Sequence, residues 1–270
     1  RLIEKAVKWI KEYTNEIILD KNKNIDAEEE INELLRTHPR NKRENVYLIV
    51  GNIATKEGYK FLADLGIDAI RVGIGSGSVC ETRTETGVYM PAVQAIIECT
   101  EERKRIAGKR IGDRFIPVSG KYTQADKMKI DYEVSKLNID VELEIKNLPL
   151  IIADGGIAQP LDLCKALGLG ADLVMCGSIF AALKESAAKV EKFNGKLYKR
   201  YRGSASFGVQ QEYIGEEPDF NEGDETLVEY HGVKVEKVIK RFRAGLLSSM
   251  AYMNANNLNE YRKNASFVLV

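Results

Sequence analysis

The chain has 270 residues, 44% of them apolar, which is enough for a sizeable core in one large α/β domain or two small ones. Lys plus Arg and Asp plus Glu both number 40, so the net charge is zero, and neither nucleic acid nor a membrane surface is indicated as a main partner. The four cysteines (Cys80, Cys99, Cys164, Cys176) form no C-x-x-C pair and read as reduced thiols of a cytoplasmic protein. No apolar run approaches the ~18 residues of a membrane span.

In chain order, residues 1–14 place apolar side chains at helical spacing. Residues 20–45 are polar and charged, with a short helix expected near Ala27–Arg36, and read as a surface insertion. Val46–Val50 is a buried-strand candidate that ends in Gly51-Asn52. Residues 56–66 are amphipathic, with Gly66 as the helix cap. Ala69–Val72 is a second β-prone run, and it stops in a loop with glycines at 73, 75 and 77. Pro91–Arg105 reads as a helix, and 108–147 as an inserted excursion, with a β-ribbon as one form. Pro149–Ala153 is a third strand, ending in Asp154-Gly155-Gly156, and a helix over Leu161–Leu167 follows. Ala171–Met175 is a fourth strand, running into Cys176-Gly177-Ser178. A helix is expected over Phe180–Lys192, a glycine- and acid-rich loop over 203–226, and a long helix within Val233–Asn256.

Strands alternating with helices argue for a parallel sheet with crossover helices. Each strand ends in a polar or glycine-rich cluster, and in a (β/α)₈ barrel such ends gather on one face. Four units are visible where a barrel has eight, so the expectation is the C-terminal half of a barrel whose earlier part precedes Arg1.

The loop after the second strand carries Cys80, with Thr82 and Arg83 just behind it. A buried thiol is the default for an arbitrary cysteine. A thiol presented by a glycine loop beside a cation is instead placed to act as a nucleophile. As a dinucleotide fingerprint the glycine run is poor, because its third position is Ser78. Asp154 beside two glycines is an ordinary strand-to-helix turn or a ribose clamp. Gly177-Ser178 before a helix offers amide donors to a phosphate.

The stretch Val72-Gly-Ile-Gly-Ser-Gly-Ser-Val-Cys-Glu-Thr-Arg83 resembles the cysteine-loop signature of the IMP dehydrogenase/GMP reductase family. The resemblance covers about residues 45–107 and 148–270. It implies a TIM-barrel oxidoreductase acting on a purine mononucleotide with NAD or NADP, usually a homotetramer. It implies that Cys80, assisted by Thr82, attacks C2 of the purine. The carbonyls of Gly75, Gly77 and Cys80 would hold K⁺, and Ser78 would contact the phosphate. Asp154, Gly156, Gly177 and Ser178 resemble the family's ribose and phosphate ligands. Tyr201-Arg202-Gly203-Ser204 resembles its Tyr-Arg-Gly motif. Glu222-Gly223 corresponds to the pair that reads the base edge, while Asn52, Gly73 and Arg83 fall on the cofactor side.

The segment 203–226 corresponds to the mobile flap. Tyr213 fits the tyrosine of the family's Arg-Tyr pair, but Glu212 stands where the water-activating arginine is expected. The Glu-Gly pair, the long spacing and the C-terminal run from Lys234 to Ile239 and on to Ala265–Val268 resemble dehydrogenases better. The missing arginine favours GMP reductase instead. A non-catalytic or partner-dependent nucleotide-binding fragment is the third reading, and His38 and His231 are read as structural or surface residues.

Overall fold

The computed structural model describes residues 47–115, 145, 147–215 and 217–268, with side chains not described at 108–115. The helices expected over 1–14 and 27–36 lie outside these residues, as does most of the excursion.

Four short strands, β1 (Ile49–Ile53), β2 (Ala69–Val72), β3 (Leu150–Asp154) and β4 (Leu173–Met175), form a parallel sheet in the order β1-β2-β3-β4. Helix α1 (Lys56–Asp64) follows β1, α2 (Thr82–Thr86) and α3 (Ala92–Phe115) follow β2, and α4 (Pro160–Gly168) follows β3. The α1 helix starts where Thr55 Oγ1 accepts from Gly58 N at 3.2 Å, and the chain turns out of it at Gly66 with φ +68°. Pro160 sits in the first turn of α4, and the Asp162 carboxylate accepts the Gln159 N–H at 2.8 Å.

Alternation along the strands sends Ile70, Val72, Ile151 and Ala153 to the helix side. There they pack with Tyr59 and Leu62 of α1 and Ile96 and Cys99 of α3. The other face carries Ile49, Leu150, Leu173 and Met175, each more than a third exposed. The register Ile49↔Ala69↔Leu150 and Ile152↔Leu173 puts these side chains in adjacent rows.

At the N-terminal end of the sheet, Asp172 is the centre of a half-buried ion cluster. It accepts from Ile151 N at 2.8 Å and Arg262 Nη2 at 3.2 Å, and it binds Arg103 Nη1. Arg103 also donates to Gly170 O at 2.7 Å, and Arg262 to Ala171 O at 2.7 Å. The cluster joins α3, the entry to β4 and the C-terminal helix.

After β4 comes a single turn, α5 (Ser178–Ala181), and then an antiparallel sheet of β5 (Val190–Phe193), β6 (Lys196–Arg202) and β7 (Glu225–Glu229). Helix α6 (Phe207–Ile214) lies between β6 and β7, and α7 (Val235–Tyr252) and α8 (Leu258–Asn264) close the chain.

Four expectations change. The strand expected over Val46–Val50 is instead Ile49–Ile53, and it runs through Gly51-Asn52 rather than ending there. The helix expected over Phe180–Lys192 is only the turn α5, and Val190–Phe193 is strand. The cause is tertiary. The buried Lys199 ammonium donates to Leu183 O and Ser186 O at 2.7 Å each, and Lys184 N donates to Val233 O at 2.8 Å, so backbone groups that a helix would use are spent elsewhere. The loop over 203–226 contains α6 and the start of β7. Helix α3 runs past Arg105 to Phe115, so the first residues of the expected excursion continue the helix.

Candidate active site

The C-terminal ends of β1, β2 and β3 meet in a tightly interlocked set of turns. Gly73 has φ +142°, and a Cβ there would lie 2.0 Å from Asp154 O. A Cβ on Gly155 would lie 2.2 Å from Ser76 Oγ, which donates to Asp154 O at 3.2 Å. These two positions need glycine because one strand end rests directly on the next.

Asp154 is held on one oxygen. Arg71 reaches Oδ2 through Nε at 3.2 Å and Nη2 at 2.7 Å, and Asn52 Nδ2 reaches the same atom at 2.8 Å. The other proton of the Asn52 amide goes to Gly73 O at 2.7 Å.

The loop then delivers Cys80, whose Sγ donates to Thr82 Oγ1 at 3.3 Å. Arg83 turns away to lie over the ring of Tyr89, 4.5 Å from its centroid. Main-chain bonds fix the loop to two distant segments. Glu81 N donates to Glu222 O at 2.8 Å, Asp224 N to Val79 O at 2.9 Å, and Gly203 N to Asp224 O at 3.0 Å. Gly223 fits between Cys80 and Ser206, where a Cβ would meet the Ala205–Ser206 backbone at 2.8 Å.

This stitching borders an open cavity of about 610 Å³, within the usual range for a small-molecule site. Of the residues singled out in the sequence, Gly77, Cys80, Thr82, Tyr201, Gly203, Ser204, Glu222 and Gly223 line it. Asp154 and Asn52 adjoin it through Arg71, which also lines it. Gly177 lies against the Tyr201 hydroxyl, which would be 2.3 Å from a Cβ at 177. Ser78 is exposed, Ser178 opens α5, and Gly75, Gly156, Arg83 and Tyr213 are not in the lining; Tyr213 is 87% exposed.

Sequence reasoning missed Arg71, Gln210 and Phe220 as lining residues, and named Arg202 only as part of the Tyr-Arg-Gly motif, with no role of its own. Arg71 had a readable signal, an ionisable side chain inside the apolar strand Ala-Ile-Arg-Val. Arg202 pairs with Glu212 of α6 through two bonds, at 2.5 and 3.2 Å. That bond holds the Glu212 carboxyl below its ordinary range and raises the Arg202 guanidinium. Among the other thiols, burial pushes Cys99 up to about 12, and burial followed by the Asp154 charge raises Cys176.

A parallel sheet that gathers a thiol, a carboxylate and an open cleft at its strand C-terminal ends is the arrangement in which α/β proteins bind small molecules. The chain matches the IMP dehydrogenase / GMP reductase domain over residues 3–128 and 138–270, and it belongs to that family. The match is wider than the motifs alone delimit. Similar proteins include the inosine-5'-monophosphate dehydrogenase of Helicobacter pylori strain 26695, 38% identical over 232 residues, which are 83% of this chain and 40% of the relative. Those of Chlorobaculum tepidum and Methanocaldococcus jannaschii are 32% and 33% identical, over 85% and 84% of this chain. The chain spans about two fifths of the length of these relatives.

Proposed function

We propose that the chain forms part of the catalytic domain of an IMP dehydrogenase-type enzyme, which oxidises IMP to XMP with NAD⁺ through Cys80. The observation that carries this reading is the junction of Cys80 with Glu222-Gly223 and Tyr201–Ser204 around one cavity. A nucleophile, a base-reading acid and a phosphate-binding turn are the three functions that a purine mononucleotide needs. In this reading the exposed face of Ile49, Leu150, Leu173 and Met175 turns inward in a closed (β/α)₈ barrel.

The Cys80 thiol first loses its proton to solvent or a site base, and the resulting thiolate adds to C2 of the bound purine. Thr82 Oγ1, already the acceptor of the Sγ proton, fixes the direction of the sulfur. Bound NAD⁺ supplies the acceptor for the hydride that leaves C2. Water then attacks the resulting C2 thioimidate, the C–S bond breaks, and Cys80 is regenerated. Tyr201, Gly203, Ser204, Gly177, Ser178 and Ser78 hold the phosphate, Asp154 the ribose, and Glu222 the N1/O6 edge of the base. Asn52, Gly73 and Arg83 stand on the nicotinamide side.

The residues also fit a monovalent cation. The turn from Gly77 to Cys80 is closed by Cys80 N donating to Gly77 O at 3.2 Å. Each carbonyl keeps a second lone pair. The Gly75, Gly77 and Cys80 oxygens are the neutral donors that K⁺ takes, and K⁺ would order the loop.

GMP reductase is the second reading, in which the same cysteine serves reductive loss of ammonia from GMP with hydride from NADPH. It is favoured by the absence of any Lys or Arg from Gly203 to Asp224, and by the commitment of Glu212 to Arg202. The test is turnover of IMP with NAD⁺ against GMP with NADPH, followed by nicotinamide absorbance. The first pair should react, and Cys80→Ala should lose turnover while retaining nucleotide binding. Reaction of the second pair alone selects the reductase. Silence in both, with nucleotide still bound, overturns the enzymatic reading.

A further inference from the structure

Lys199 is a buried ammonium, 3% exposed, on the strand that runs into the Tyr201-Arg202-Gly203 turn. Its Nζ donates to Leu183 O and Ser186 O at 2.7 Å each and lies 5.1 Å from the centroid of the Tyr230 ring. Among the described residues its hydrogen bonds go to main-chain carbonyls and none to a carboxylate. A charged donor makes stronger bonds to a carbonyl than a neutral one does, so both contacts are firm tethers.

The tethered segment leads back to the candidate phosphate turn. Leu183 N donates to Phe180 O at 3.2 Å, and Phe180 N to Gly177 O at 3.0 Å. Lys199 and Tyr201 are two residues apart on β6, so their side chains leave the same face. Tyr201 meets the segment at its start, where its hydroxyl would be 2.3 Å from a Cβ on Gly177. Lys199 meets it at its end, so one strand face holds 177–186 at both ends. Two further bonds come from the α7 side: Lys184 N donates to Val233 O at 2.8 Å, and Glu185 Oε2 accepts from Val235 N at 3.0 Å.

We propose that Lys199 is a positioning residue that fixes the Gly177-Ser178 turn against Tyr201 before any ligand arrives, so that a ligand phosphate meets donors already in place. The inference rests on the assignment of Tyr201, Gly177 and Ser178 to the phosphate. Donors held in advance do not have to be ordered on binding. Loosening the turn therefore lowers affinity for a nucleoside monophosphate and leaves the nucleoside almost untouched.

Two measurements on the full chain test this. Calorimetry compares IMP with inosine, which lacks only the phosphate. Lys199→Met keeps much of the side chain's length but cannot donate. In it IMP should bind about tenfold more weakly, while inosine changes by less than about twofold. Lys199→Arg, which retains a cationic donor, should recover most of the loss. Equal weakening of IMP and inosine in Lys199→Met would mark a purely structural role and overturn the proposal, as would unchanged IMP binding.

The second measurement needs no variant and decides the matter even where Lys199→Met does not fold. In the ligand-free protein the Phe180 and Leu183 amides should exchange far more slowly than free amides, and IMP should slow them little further. Fast exchange that slows only when IMP is added overturns the proposal. The phosphate assignment fails differently: the unaltered protein would bind IMP and inosine equally tightly, with the turn still protected.

Discussion

Replacing Asp172 with alanine removes the acceptor on which Arg103, Arg262 and the Ile151 amide converge. The Arg103 side chain is only 5% exposed, and its Nε already has no partner among the described residues. Without the carboxylate, a buried guanidinium keeps only its bond to Gly170 O. Breaking a buried pair from one side destabilises by about 3–5 kcal/mol. That is about a fifth or more of the ~5–15 kcal/mol that holds a typical domain together. With a urea slope of about 3 kcal/mol per molar, the midpoint should fall by about 1–1.7 M. Equilibrium unfolding followed by circular dichroism measures the shift. Arg262→Met should cost less, because Arg262 is more exposed and Asp172 keeps Arg103. A loss below about 1 kcal/mol in Asp172→Ala, the size expected of an exposed ion pair, would refute the reasoning.

Three further outcomes are expected. In Gly177→Ala the new methyl displaces the Tyr201 hydroxyl from 2.3 Å, so on the phosphate role proposed for Tyr201 IMP affinity should drop about tenfold, as calorimetry would read it. The Glu212 carboxyl is depressed by Arg202, so the pair persists at neutral pH and is lost only as pH falls through that lowered value; Glu212→Gln at neutral pH should raise amide exchange over 207–214, with no pH effect between 6 and 8 from this pair, taking its shift as downward from the ordinary ~4.3. The Cys99 thiol is buried and raised to about 12, so iodoacetamide at about pH 8 should modify Cys80 first and leave Cys99 untouched until the protein unfolds; peptide mass spectrometry gives the order.

The parallel sheet was legible because its strands are short β-prone runs next to glycine-containing turns, as at Val72-Gly73 and Asp154-Gly155, although β1 continues through Gly51-Asn52 to Ile53. The second sheet was hidden behind a misleading propensity. Ala181 to Lys189 is rich in good helix formers, yet Lys199 takes its carbonyls from across the fold. The signal that does mark the hairpin is Asn194-Gly195, with φ +46° and +80°, the dipeptide suited to a two-residue turn. In the site, Cys80, Glu222 and Tyr201 were each visible as motifs, and the family resemblance implied that they meet around one nucleotide, but the residues alone did not show the meeting. It depends on main-chain bonds between segments distant in sequence, and a residue pattern carries no record of those. Arg71 was overlooked for a related reason. Its meaning comes from Asp154 on the neighbouring strand, in register with nothing nearby in the chain.

The backbone links that join Val79–Glu81 to Glu222–Asp224 and Gly203 also bear on how such a site diversifies. Amide-to-carbonyl bonds do not depend on which side chains the linked residues bear. The frame around Cys80 therefore tolerates exchange at Arg202, Gln210 and Phe220, which line the cavity as side chains, without losing the position of the sulfur. The glycines at 73, 155 and 223 are the opposite case, because any added carbon strikes a neighbouring strand end or loop. Ligand preference can thus drift at the rim in single steps while the seat of the Cys80 sulfur stays fixed. A lineage could change what lines the cavity long before it changes where the thiol is held.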